Sequence, residues 1–304
     1  MLLSSIPQKV RIVEVAPRDG LQNVSTVLPT DQKIAFVEDL AAAGHTHIEV
    51  SSFVREDLVP QLADAEAVFA GLKHREGITY TALVANEKGL DRALRSGVLS
   101  IAVFTAASDT FSQKNAGCDV ATSLARLEPV VSRALAQALR LRAYVSTAFV
   151  CPYEGPIAPE RVNAVVNKLE GLGLTSISLG DTIGAATPIS VDQLLDTLEP
   201  GTRSSDLALH MHDTCHRALA NILVGLQYGI AEYDASAGGL GGCPFAPGAP
   251  GNVDTRSLVE MLESMGITTS IDVEKQDKAI ARLRKAMGRT GLNVEGVQEA
   301  DTTE

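Results

Sequence analysis

Tryptophan is absent from the 304 residues, and all aromatics together make up only 4% of them. A core without large rings has to be built from Ala, Val, Leu and Ile, which suits closely packed helix-on-sheet layers. No apolar run reaches the length of about 20 residues that a membrane span needs, so no membrane partner is expected. Basic residues are outnumbered, 26 Lys and Arg against 37 Asp and Glu, for a net charge of −11. That balance argues against nucleic acid or an anionic membrane as a general partner. It still allows an anionic small molecule, which needs only a local positive pocket. Cysteine is sparse, and Cys118, Cys151, Cys215 and Cys243 form no Cys-x-x-Cys pair. Residues 1–9 hold no charged segment followed by a long apolar one, so no export signal is expected. A cytoplasmic location with reduced thiols is the corresponding expectation.

What is present is an alternation. Strands are expected at 11–16, 47–52, 79–84, 100–105, 142–150, 175–179, 207–212 and 232–236. Between and after them, helical spacing marks 33–43, 60–72, 87–96, 120–139, 159–172, 190–198, 217–227 and 255–265. Thr30 is placed to cap the first helix, and Gly44, Gly97, Gly173 and Gly229 close four of them. Residues 18–23 read as a loop. Eight strand–helix units at roughly 30-residue spacing call for parallel strands with crossover helices. The count fits an α/β fold of the (β/α)8 barrel type, one domain with its barrel over about 10–266. An open doubly wound sheet would need a Gly-rich phosphate turn after the first strand, and Pro17-Arg-Asp-Gly20 supplies none. A further helix is expected at 273–287, outside the barrel or over one end, with Ile280, Leu283 and Met287 on one side. The acidic tail 295–304 is expected to fray.

In such a barrel the active site lies at the C-terminal ends of the strands. His210 and His212 close the seventh strand and, two residues apart, share one face. Two imidazoles so placed can grip one metal ion. Alone, His-x-His is a weak motif, and two pocket histidines held by hydrogen bonds are its commoner meaning. The other strand ends strengthen the metal reading. They bring Arg18 and Asp19 after the first strand, Glu49, Ser51 and Ser52 on the second, Asp181 on the sixth and Asp213 after the seventh. Asp19, His210 and His212 would form a carboxylate and bis-imidazole set that suits a divalent cation. For Asp19 the alternative is a turn residue before Gly20; for Asp181 and Asp213 it is a helix cap. Glu49 lies in an apolar strand and must be paired, with Arg18 the natural partner.

The loop at 238–252 contains six glycines, three prolines and Cys243. A segment of that length and composition suits a lid. Cys243 could be an acid, a nucleophile or a bystander. Asn252 could complete a metal shell or cap the following helix.

Several of these stretches together resemble the 3-hydroxy-3-methylglutaryl-CoA lyases, within the metal-dependent barrel lyases and synthases. The matching segments begin with Glu14-Val-Ala-Pro-Arg-Asp-Gly-Leu-Gln-Asn23, Ile48-Glu-Val-Ser-Ser-Phe53 and Cys151-Pro-Tyr-Glu-Gly155. They continue with Ile177-Ser-Leu-Gly-Asp-Thr-Ile-Gly184, His210-Met-His-Asp-Thr214 and Gly238-Gly-Leu-Gly-Gly-Cys-Pro-Phe-Ala-Pro-Gly248. The Arg-Asp-Gly and His-x-His-Asp elements mark the wider group, Claisen-type synthases included; the Gly-Gly-Leu-Gly-Gly-Cys-Pro loop is far more specific to the lyases. Two sites depart from the family pattern. Cys215-His-Arg217 stands where Tyr-Gly-Gln is usual, and Val24-Ser25 where Glu-Lys is usual. Both departures concern the acyl group more than the chemistry.

The resemblance implies a divalent cation, Mg²⁺ or Mn²⁺ foremost, held by Asp19, His210, His212 and Asn252. It implies cleavage of an acyl-CoA ester, 3-hydroxy-3-methylglutaryl-CoA, into acetyl-CoA and acetoacetate. Arg18 would stabilise the thioester enolate, Cys243 would protonate it, and Asp19, His210 or a water would serve as base. Glu49 would fix Arg18, and Asp181 the histidine shell. Substrate contacts are expected from Arg18, Gln22, Ser52 and Lys114, the last through a CoA phosphate. The assembly implied is a homodimer. A lyase for a related branched acyl-CoA, a Claisen-type synthase and a non-catalytic binding barrel are the alternatives.

Overall fold

The computed structural model describes residues 6–198, 202–241 and 251–289. Cys243, most of the Gly-rich loop and the acidic tail lie outside the described residues. Eight parallel strands close into a barrel. They are β1 (Arg11–Glu14), β2 (His47–Ser52), β3 (Thr79–Leu83), β4 (Ser100–Ala106), β5 (Arg140–Ser146), β6 (Ile177–Asp181), β7 (Leu207–Met211) and β8 (Glu232–Ala235). Each strand pairs with its neighbours in chain order. The ring closes where β1 runs beside β8, from Arg11 against Glu232 to Glu14 against Ala235.

The connecting helices are α1 (Thr30–Ala42), α2 (Ala65–Gly71), α3 (Glu87–Arg95), α4 (Asp109–Ala116), α5 (Val120–Ala136), α6 (Pro159–Gly171), α7 (Pro188–Thr197), α8 (Ala218–Gln227) and α9 (Thr255–Ser264). Strands of a parallel sheet are covered on both faces, which is why most read as near-continuous buried runs. Outward residues such as Ile101, Val103, Val145, Leu179 and Leu209 pack with the helix faces, for example Leu127, Val130 and Ala134 of α5, in one apolar layer. Small and branched side chains fill most of that layer, and the buried rings among them are Phe53, Phe111, Phe149 and Tyr233. No helix among the described residues is long and apolar enough to cross a membrane.

The structure departs from the sequence reading at particular places. Residues 16–20 form one π-helical turn in place of an open loop, and the Val15 carbonyl accepts the amides of Arg18, Asp19 and Gly20. Thr30 is the first helical residue; its hydroxyl donates to Asp64 at 2.6 Å and does not cap α1. The helix expected at 60–72 is a 3-10 turn (Pro60–Leu62) followed by the shorter α2. Helix α4 was not expected. It is polar, and Ser108, not an apolar stripe, defines its start by accepting from the Phe111 amide. The fifth strand stops at Ser146, and a small hairpin pairs Val150–Cys151 with Gly155–Pro156.

The last helix, α10 (Val273–Arg289), lies along α1. Ala279, Ile280, Leu283 and Met287 join Phe36, Val37 and Leu40 in a second apolar cluster. Leu21, Ala16 and Ala237 belong to the same cluster. The helix therefore braces both the turn after β1 and the root of the Gly-rich loop.

Glu14 connects those two segments directly. Its carboxylate accepts the amides of Ala16 at 2.9 Å and Ala237 at 2.8 Å and the Thr255 hydroxyl at 2.8 Å. Burial drives its carboxyl from 4.5 up to about 7, against those three donors. The folded chain thus keeps a proton that the unfolded chain has already released. The stability it contributes is full below pH 4.5 and is lost as pH rises through about 7. Glu14→Gln keeps an acceptor for both amides and stays neutral. Its melting temperature is expected to fall less than the parent's between about pH 5 and about pH 8; parallel pH profiles would contradict this.

Candidate active site

Alternation along the strands decides which polar groups reach the barrel interior. On β7, Ala208 and His210 face inward, and His212 follows one residue past the strand with the same parity. The β8 register sets Asp234 beside His210, and the β6 register sets Gly180 on its other side. Asp19 arrives from the opposite side of the ring closure, on the π-helical turn. One ligand atom each from Asp19, His210 and His212 lies within 4.8 Å of the other two. The His210 and His212 rings are 5.3 Å apart between centroids.

Ion pairs hold the carboxylate side. Arg18 donates through Nε to Glu49 at 2.7 Å and through Nη1 to Asp19 at 2.6 Å. Tyr144 also donates to Glu49, at 3.2 Å, and its ring lies under the Arg18 guanidinium at 5.6 Å. Glu49 is fully buried and so meets the pairing that its strand position demands. The remaining oxygen of Asp19 accepts from Asn252 Nδ2 at 2.8 Å. Burial alone would raise the Asp19 carboxyl, but the Arg18 charge, with the charges of His210 and His212 and the Asn252 hydrogen bond added, outweighs it and holds the group at about 2. Asp19 is a carboxylate at any working pH.

The histidines differ. Burial, with the neighbouring charge of His210 adding to it, brings His212 down to about 4, so its ring is neutral and its lone pair free. Its Nδ1 is buried and has no hydrogen-bond partner. A buried imidazole nitrogen left alone is costly, which a cation at that point would relieve. For His210, burial acts downward, but the hydrogen bond and charge of Asp234 raise it. One carboxylate, two imidazoles and an orphaned nitrogen fit a divalent ion.

Asn252 adjoins this set through its backbone as well, in an antiparallel bridge with His212. It does not cap α9; Asp254 does, accepting from Ser257. Asp213 accepts from the Ala218 amide at the start of α8, whose N-cap position is held by Arg217.

Asp181, expected to fix the histidine shell, feels the charge of His210 but makes its hydrogen bonds to the amides of Ala185 and Ala186 in the turn after β6. The reason is parity. Asp181 shares the outward side of β6 with Ile177 and Leu179, whereas Ser178 faces in. Burial, opposed by the amides of Ala186 and Ala185, brings its carboxyl up to about 6. The partner of His210 is Asp234, which the sequence reading missed. An acid at an inward position of β8 was the available signal.

A cavity of about 910 Å³ opens above the triad, within the usual range for a small-molecule site. Gln22, Ser52 and Lys114 all line it, and Lys114 lies 4.9 Å from the Tyr153 ring centroid on the hairpin. The expected substrate contacts are therefore all on the cavity wall.

The Arg18–Glu49 pair yields a direct test. Glu49→Ala would strand a buried guanidinium, at an expected cost of about 3–5 kcal/mol in folding stability. Chemical denaturation measures it, and a cost below about 1 kcal/mol would mean the pair is dispensable.

The chain is similar to known proteins over nearly its whole length. The HMGL-like family matches residues 9–282. A cytoplasmic 3-hydroxy-3-methylglutaryl-CoA lyase of Rattus norvegicus is 46% identical over 288 residues, covering 95% of this chain and 84% of the relative. A 3-hydroxy-3-isohexenylglutaryl-CoA/hydroxy-methylglutaryl-CoA lyase of Pseudomonas aeruginosa is 44% identical over 286 residues, covering 94% and 95%. The crystal structure of a hydroxymethylglutaryl-CoA lyase from Pseudomonas aeruginosa superposes with a TM-score of 0.91 at 43% identity, covering 95% of this chain and 97% of that one. Matched by the family model and by these relatives along nearly the whole length, the chain belongs to the HMGL-like family.

Proposed function

We propose that the protein is a divalent-metal-dependent lyase that cleaves 3-hydroxy-3-methylglutaryl-CoA to acetyl-CoA and acetoacetate. The observation that carries this reading is the convergence of Asp19, His210 and His212 beside the Arg18 guanidinium on the wall of one cavity. A divalent cation bound there supplies Lewis-acid polarisation of the substrate's hydroxyl and carboxylate oxygens. Mg²⁺ or Mn²⁺ is the proposed ion and a homodimer the proposed assembly, both carried over from the family resemblance.

The chain's own groups account for the rest. A base, Asp19 or a water, takes the proton of the C3 hydroxyl. The C2–C3 bond breaks, C3 becomes the ketone of acetoacetate, and the electron pair passes into the thioester enolate. Arg18 stabilises the charge on the thioester oxygen; its fixed, desolvated position makes that contact strong. Glu49 and Tyr144 keep the guanidinium there. Cys243 of the Gly-rich loop gives a proton to C2 to complete acetyl-CoA. Gln22, Ser52 and Lys114 are proposed to hold the substrate, with Lys114 at a CoA phosphate. Asn252 is proposed as a further ligand. Asp181 is proposed only as the anchor of the turn after β6.

A second reading keeps the chemistry and changes the acyl group. It is favoured by the Pseudomonas aeruginosa relative named for an isohexenyl ester and by the departures at Val24-Ser25 and Cys215-His-Arg217.

Purified protein with Mg²⁺ is expected to release acetoacetate from the CoA ester, and His212→Ala or chelation to abolish it. A panel of branched 3-hydroxyacyl-CoA esters, with products read by mass spectrometry, separates the two readings; turnover of none would remove both. Cys243→Ala is expected to fold and bind metal yet lose at least about 100-fold in kcat. Near-normal turnover would take the thiol out of the scheme.

A further inference from the structure

The buried polar groups inside the barrel are not all consumed by the chemistry above. Asp234, Ser178 and Arg142 form a cluster on β8, β6 and β5, beneath the histidines. Asp234 is about 1% exposed. Its Oδ2 lies 3.1 Å from His210 Nδ1 and accepts from Ser178 Oγ at 2.7 Å. Its Oδ1 is 2.6 Å from Arg142 Nη2. The Arg142 guanidinium is itself stacked 5.1 Å from the Tyr144 ring centroid, on the same ring that supports Arg18.

An ionised carboxylate only accepts hydrogen bonds, so the shared proton at 3.1 Å sits on His210 Nδ1. The lone pair of the neutral ring is then confined to Nε2. We infer that Asp234 is a positioning residue that locks His210 as its Nδ1–H tautomer and thereby presents Nε2 to the cation. This rests on the metal-site reading above. Such outer partners orient a ligating ring and typically carry about 10- to 100-fold in metal affinity.

Arg142 gives the inference a sharp consequence. A guanidinium has donors only. In Asp234→Asn the amide must therefore turn its oxygen to Arg142 and its NH2 toward His210 and Ser178. An amide NH2 facing Nδ1 makes that nitrogen the acceptor and moves the ring proton to Nε2, where it blocks coordination. The volume of the side chain hardly changes, so packing alone would not produce this effect.

The test is ¹⁵N NMR of the imidazole nitrogens in metal-free protein above pH 8, with His210 assigned by its loss in His210→Ala, together with Mn²⁺ titration. Wild type is expected to show Nδ1–H at His210. Asp234→Asn is expected to show Nε2–H and a Mn²⁺ dissociation constant raised about 10- to 100-fold. Nε2–H in the wild type, or unchanged Mn²⁺ affinity and tautomer in the variant, would overturn the inference. The wild-type spectrum decides the tautomer even if the variant fails to fold. Nδ1–H in a wild type that binds no Mn²⁺ would remove the cation reading while leaving the hold of Asp234 on the ring intact.

Discussion

A guanidinium that is only 7% exposed has to be paired, and the way Arg18 is paired organises the mouth of this barrel. Glu49 on β2 takes one edge and Asp19 the other, with Tyr144 of β5 beneath. Leaving such a charge without its partners is far costlier than never burying it. The pairing therefore fixes the π-helical turn after β1, and the turn fixes where the Asp19 carboxylate points. The same contact keeps Asp19 ionised and holds Arg18 where a developing enolate charge would need it. One electrostatic arrangement serves both the ligand and the group proposed to act on substrate.

The Gly-rich segment is tied to that arrangement at its root. Asn252 donates to Asp19 and to the Leu240 carbonyl, so both ends of the segment touch the carboxylate side of the site. Gly241 has φ +97°, and a Cβ there would come within 2.6 Å of Asn252 Nδ2 and 3.2 Å of Gly20. Only glycine fits. Glu14 links the amides of Ala16 and Ala237 from below, and α10 packs against both segments. The extra helix is thus part of the support of the site.

Much of this was legible in the amino-acid order. Eight strand–helix units gave the barrel, and the two-residue spacing of His210 and His212 gave their common direction because parity survives small errors in strand boundaries. Glu49 was readable because an acid in an apolar strand has to find a cation. The failures also follow from parity and polarity. Asp181 sits at a strand end like the other site residues, but one step out of phase, so it faces the turn. Asp234 was in phase and was passed over, since it precedes the strand end and carries no motif. Helix α4 and the hairpin after β5 rest on capping and side-chain bonds from Ser108 and Glu154 that have no hydrophobic period to reveal them.

The account stands on a cation between the first and seventh strands. Crystals soaked in Mn²⁺ and measured at the manganese absorption edge test it most directly. A single strong anomalous peak in contact with Asp19, His210 and His212 is the result expected. A well-ordered site with no peak there, or a peak bound by other residues, would contradict it.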